Sequence, residues 1–270
     1  MELLQWVCFG LLPALAAVLL FVGAGGARFF SLGLAVAICV PFGMVFDWAA
    51  WPWELDPNRD AQQWLWWCFA AAGVVGAAYD LRLLPKPVLL TLEIAIVLLM
   101  PWLVLAPLRA GWTFERCVVM LGGAWSVLMA LWWVLRATAK LQQGVAVPLA
   151  ATVALIVDAI VLHAQNARPG WHLAGVAAFA LAVAVATTIW RRPFVCGTGG
   201  ALCIAIVHVG VLWSDGSEAG IRSAPRLLCL VALLPMWIAT RPMFAEGRAT
   251  GILVGLATSV GVAVFAIAML

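Results

Sequence analysis

The stretch VLLTLEIAIVLLMPW, residues 88–102, carries one charge, Glu93, and continues without another as far as Leu108. A helix on the surface of a soluble protein keeps a polar face at a period of 3.6 residues; this one has none to offer. A helix needs about 20 apolar residues to cross the roughly 30 Å of bilayer hydrocarbon, and the run from Val88 to Leu108 has that length. Its reading as a membrane span decides how the rest of the chain is read.

The composition agrees. Hydrophobic residues make up 66% of the 270 and charged residues 10%, against about 25% charged in soluble domains, and the mean hydropathy is +1.09. The expected fold is an all-α integral membrane protein, a single transmembrane domain over residues 1–270 with no soluble domain. Net charge is +3, and the cations are scattered without interleaved aromatics, so nucleic acid is not an expected partner. Seven cysteines sit singly in apolar runs and read as small hydrophobes. The start, MELLQW, lacks the basic region of a signal peptide, so the first apolar run is expected to remain as a helix.

Polar punctuation divides the chain into ten apolar runs: Leu3–Gly25, Phe29–Trp48, Gln62–Tyr79, Val88–Leu108, Phe114–Leu135, Val145–Ala164, His172–Trp190, Cys196–Trp213, Pro225–Ala239 and Thr250–Leu270. The ninth is short and the eighth marginal, so eight crossings follow if those two are re-entrant. Basic residues near span ends stay cytoplasmic. One side collects Arg28, Arg82, Lys86, Arg136, Lys140, Arg191, Arg192, Arg241 and Arg248 against Asp80 and Glu246. The other collects six arginines against seven acids, among them Glu54, Asp56, Asp60, Asp215 and Glu218. The bias recurs loop after loop, which predicts an even number of crossings, both termini external, in what reads as a bacterial inner (plasma) membrane.

In that frame DWAAWPWELDPNRDAQQWLWWC, Asp47–Cys68, is the external end of the second and third runs. Trp48, Trp51, Trp53, Trp64, Trp66 and Trp67 fall at headgroup depth, where indole is at home. The bland reading is an aromatic belt; the sharper one is an acid-rimmed external cap that docks a lipid, a sugar face or another subunit.

Ionisable groups at membrane depth cost about 2.5–3.5 kcal/mol on insertion scales and default to functional candidates. Glu93 lies near the cytoplasmic end of the fourth run, where Lys86 or Arg82 is the expected partner. Asp158, in VALIVDAIVLHA, is deeper, with no basic residue within a helical turn. His208, in ALCIAIVHVGVLW, lies at similar depth in a run of the same direction; the two meet if those helices are neighbours, and an Asp–His pair is a plausible proton relay. The alternatives are structural: a carboxylic acid bonded to another helix and a histidine satisfied by a carbonyl. His163, His172 and His208 do not form a paired ligand spacing, so neither metal nor other cofactor is expected, and no HExxH, GxSxG or Walker loop occurs. Gly251, Gly255 and Ser259 form a small-residue stripe suited to close helix packing.

Three function classes fit. A small-solute or lipid permease would use Asp158, Glu93 and His208 as coupling groups. A non-catalytic subunit or assembly factor of a membrane complex would use its tryptophans and apolar flanks. An intramembrane enzyme on a lipid-linked substrate lacks a motif and is the weakest.

Overall fold

A computed structural model describes residues 7–20, 29–45, 61–141, 146–167, 170–191, 196–214, 223–240 and 248–270. All regular structure among them is helical: α1 (Leu12–Val18, preceded by a π-helical turn), α2 (Phe30–Val45), α3 (Ala61–Asp80), α4 (Lys86–Val104, followed by a single helical turn at Ala106–Arg109), α5 (Phe114–Leu141), α6 (Ala146–Ala164), α7 (Gly170–Arg191), α8 (Thr198–Trp213), α9 (Ala224–Val231), a 3-10 helix at Leu234–Thr240, and α10 (Arg248–Ala268). In hydrocarbon a chain must satisfy its own backbone polar groups, and a helix does so within one segment.

Each of the ten apolar runs contains one of these helices, but crossing length is a stricter test. Among the described residues five helices are long and apolar enough to span a membrane: Lys86–Val104, Phe114–Lys140, Ala146–Ala164, Gly170–Thr187 and Thr250–Ala268. Phe30–Pro41, Thr198–Trp213 and Ala224–Ile238 are apolar but shorter. This corrects the expectation of ten full-length spans, and the reason is local. The ninth run is not one helix: α9 stops at Val231 and resumes as a 3-10 turn containing Pro235, which has no N–H to donate. The eighth run yields sixteen helical residues, about 24 Å at 1.5 Å per residue.

That short helix is the axis of the molecule. Every residue of α8 from Thr198 to Trp213 is buried, because α2 to α7 and α9 all pack against it. Its sequence, TGGALCIAIVHVGVLW, is rich in small residues, which let neighbouring backbones approach when lipid offers no hydrophobic drive for association. The lipid-facing surfaces lie on the outer helices, where Val119, Leu253 and Val264 are well exposed.

Two helix ends are fixed by the same turn. After α3, Arg82 takes a left-handed φ of 56°, with Leu83 N–H donating to Ala78 O and Arg82 N–H to Tyr79 O. After α6, Asn166 takes φ 53°, with Ala167 N–H on Leu162 O and Asn166 N–H on His163 O. This paired closure satisfies the last orphan carbonyls. Asn accepts the left-handed region readily, whereas Arg is an uncommon occupant.

The small-residue stripe of α10 faces the 3-10 helix: Gly255 lies against Met236 and the Pro235 carbonyl, and Ser259 is buried.

Candidate functional site

The helix ridges that enclose α8 bring Asp158 and His208 together. Asp158 projects from α6 and His208 from α8, both without solvent exposure, with Nδ1 2.7 Å from Oδ2. The distance is that of an ion pair, although the ring is turned so that Nδ1–H points off the line to the carboxylate. The other ring nitrogen, Nε2, lies 3.0 Å from the Cys229 carbonyl oxygen. A carbonyl oxygen only accepts, so Nε2 carries a proton and donates. The Cys229 thiol, on α9, lies beside the same carboxylate, although neither Asp158 oxygen accepts a hydrogen bond of regular geometry. Three helices thus contribute one group each to an enclosed cluster.

The chemistry of that cluster follows from proton counting. With Nε2 protonated, a pair that is neutral overall carries one further proton, on Nδ1 or on the carboxyl group, giving either imidazolium against carboxylate or neutral imidazole against carboxylic acid. Both states are net neutral. Removing that proton leaves a buried negative charge, and adding one leaves a buried positive charge, each costly in low dielectric.

Glu93 is elsewhere. Its Oε2 accepts from Arg136 Nη1 at 2.6 Å, both groups buried, and Arg136 Nη2 donates to the Tyr79 hydroxyl at 3.2 Å. The guanidinium lies against the faces of Tyr79 and Trp132. The expected partners Lys86 and Arg82 are corrected to Arg136. The reason is that α5 runs on to Leu141, so Arg136 is an intrahelical cation and not the first charge of a loop.

Two polar groups that the sequence reading left aside cap the ends of α8. At its N-terminus Asp80, the last residue of α3, accepts from the Ser31 hydroxyl at 2.9 Å and from the Gly199 N–H. At its C-terminus the buried Arg226 donates from Nη1 to Leu212 O at 3.2 Å and from Nε to Gln165 Oε1 at 2.6 Å. Gln165 Nε2 in turn donates to Ser223 Oγ at 3.1 Å. An acid at the positive end of a helix dipole and a base at the negative end are each favourable. The signal available in the sequence was the CGTGG run at residues 196–200, which marks a helix start in close backbone contact.

Burial pushes the Asp80 carboxyl from 3.8 up to about 6, outweighing its two hydrogen bonds. The folded value is the higher, so folding favours the protonated form. The associated stability is fully present below about 4, is lost as pH rises through about 6, and is constant above that. Thermal unfolding in detergent should therefore show a midpoint that falls across this interval. Asp80→Asn should flatten the fall; an unchanged pH profile in that variant would assign it to another group.

Of the tryptophans, Trp48, Trp51 and Trp53 lie outside the described residues, as do Glu54, Asp56 and Asp60. Trp64, Trp66 and Trp67 occupy the first turns of α3. Trp66 Nε1–H donates to Cys39 O at 3.0 Å, tying α3 to α2, and meets the partly exposed Trp67 edge-on at 4.9 Å. Of the remaining histidines, His163 meets Trp171 edge-on and His172 stacks on it at 3.5 Å. Among the described residues no three His, Cys, Asp or Glu side chains converge on a metal position.

No family model matches the chain, and no curated protein matches its sequence.

Proposed function

We propose that this integral membrane protein is a permease for a small solute or lipid, coupled to proton movement at the Asp158–His208 pair. The observation that carries the reading is that pair itself: two titratable groups at no exposure, 2.7 Å apart, between the axial helix α8 and its neighbour α6. An apolar contact of equal volume would hold three helices together without the cost of burying such groups. The pair changes charge only when a compensating charge or shape change accompanies it, which is the elementary requirement of coupling. The break after α9 supports the same reading, since discontinuous helices line binding sites in many transporters.

Purified protein in liposomes loaded with a pH-sensitive dye, challenged with a panel of small solutes, tests this. Solute-dependent proton movement that disappears in Asp158→Asn is expected.

A second reading, as subunit or assembly factor of a membrane complex, is favoured by one surface. An open apolar trough of about 620 Å³ between α5 and the 3-10 helix is lined by Ser126, Met129, Ala130, Trp133, Val134, Leu234 and Trp237. Trp133 is 63% exposed in it. A stoichiometric partner chain retained in mild detergent, together with no proton movement for any solute, would replace the permease by this reading.

The topology belongs to the same proposal: an even number of crossings, with both termini outside and Arg191 and Arg192 in the cytoplasm of a bacterial cell. A reporter active only in the cytoplasm, fused after Leu270, should be silent. Activity there would overturn the orientation or the even count.

A further inference from the structure

The helices around the two ends of α8 are not all held by the same means. At the N-terminal end the closure is backbone on backbone. A Cβ on Gly199 would overlap the Gly76 carbonyl, one on Gly76 would come within 2.8 Å of the Gly199 carbonyl and of Ser31 Cβ, and one on Gly73 would overlap Ala35 Cβ. No side-chain rotation separates surfaces in such contact, and the Glu93–Arg136–Tyr79 bonds tie α4 and α5 to the same α3.

At the C-terminal end α7 is locked on α8 in the same way, a Cβ on Gly170 coming within 3.0 Å of Val211 O, but among the described residues three side chains tie α9 to the ends of α6 and α8. Gln165 bridges Arg226 and Ser223, and Arg226 reaches Leu212 O. Gln165 is held in place by the left-handed turn that ends α6 at Asn166, so it is a fixed post. Arg226 and Ser223 belong to the other party: α9 is eight residues long, begins beside Ser223, and loses its regular hydrogen bonding at Ala232–Leu233 before Pro235. Cys229 lies on α9 three residues beyond Arg226, about one helical turn deeper, with its carbonyl on His208 and its thiol beside Asp158.

We infer that Gln165, Arg226 and Ser223 form the gate over the Asp158–His208 pair on the face that carries Ser223, and that it opens by a tilt of α9 about the Ala232–Leu233 break. Opening exchanges the Gln165–Arg226 and Gln165–Ser223 bonds for bonds to water and lifts the Cys229 carbonyl from His208 Nε2. The pair is thereby exposed and relieved of one acceptor in the same movement. The glycine-locked end stays shut throughout, so access is one-sided in this state. This rests on the reading of Asp158–His208 as a coupling site, but its test needs neither solute nor proton gradient.

The probe is a membrane-impermeant quaternary-ammonium methanethiosulfonate, applied to one face of sealed vesicles at a time, with modification of Cys229 quantified by peptide mass spectrometry in the otherwise native chain. Gln165→Ala should raise the rate at Cys229 at least about tenfold from the Ser223 face and leave it unchanged from the opposite face. Ser223→Ala, which removes a single hydroxyl and leaves the Arg226–Gln165 bond, should raise it about threefold and serves where Gln165→Ala fails to fold. A rate unaffected in both variants, or raised equally from both faces, would overturn the gate. If labelling behaves as stated while Asp158→Asn leaves solute-dependent proton movement intact, the gate stands and the coupling reading falls; unchanged labelling with loss of proton movement is the converse.

Discussion

Arg136→Met is expected to cost about 3–5 kcal/mol, the penalty for removing one partner of a buried ion pair. The substitution keeps most of the side-chain volume against Trp132 and Tyr79 but strips Glu93 of its cation, leaving a carboxylate with no solvent exposure facing an apolar wall. A loss of that size consumes a large part of the 5–15 kcal/mol that holds a folded domain together, so yield of monodisperse protein in detergent should fall with the thermal midpoint. The double variant Glu93→Gln/Arg136→Met should recover most of the loss, because it removes both charges. Thermal unfolding of the two variants side by side is the measurement. A single variant within 1 kcal/mol of the parent, or a double variant no better than the single, would mean that Glu93 does not depend on Arg136.

Asp158→Asn is expected to do little to the fold and to end proton coupling. Asn has nearly the shape of Asp and can present an N–H to His208 Nδ1, so the cost should be about 0.6 kcal/mol, the average for a hydrogen bond between membrane helices. It has no proton to release. Solute-dependent proton movement in liposomes should disappear with the protein still folded. Asp158→Leu separates this from a packing role: it strands His208 Nδ1, a buried polar atom whose unsatisfied state costs about 1–3 kcal/mol, and should therefore lose stability as well. A stable and fully pH-responsive Asp158→Asn protein would remove the coupling role and leave the subunit reading in front.

The places of the helices were legible because the chain alternates long apolar runs with short polar punctuation, and lipid leaves a backbone few alternatives. Thr198–Trp213 and Ala146–Ala164 end within a residue or so of where hydropathy ends them. Length in the membrane was less legible. Hydropathy counts apolar residues whether they face lipid or protein, so it could not tell α8, enclosed on all sides, from α10, which is mostly exposed to lipid.

At the site, depth counted along two parallel runs set Asp158 and His208 at one level, but only packing could make α6 and α8 neighbours. Arg136 was misplaced because the fifth apolar run ends at Leu135 while its helix continues to Leu141. Ser31, Gln165 and Ser223 are small or neutral polar residues at helix ends, the commonest of surface features, and nothing in their spacing marks them until Asp80 and Arg226 are seen beside them.

The enclosure of α8 has a consequence for biosynthesis. Of the seven helices around it, α2 to α7 precede it in the chain and only α9 follows. The ribosome therefore delivers the axis after most of its sheath, and α8 must slide into a ring of helices already in the bilayer, with His208 meeting an Asp158 that has been waiting there. Until α9 emerges, the His208 Nε2–H has no Cys229 carbonyl and the end of α8 has no Arg226. A nascent chain arrested just beyond Trp213 thus holds its axis but lacks both groups that α9 brings to it.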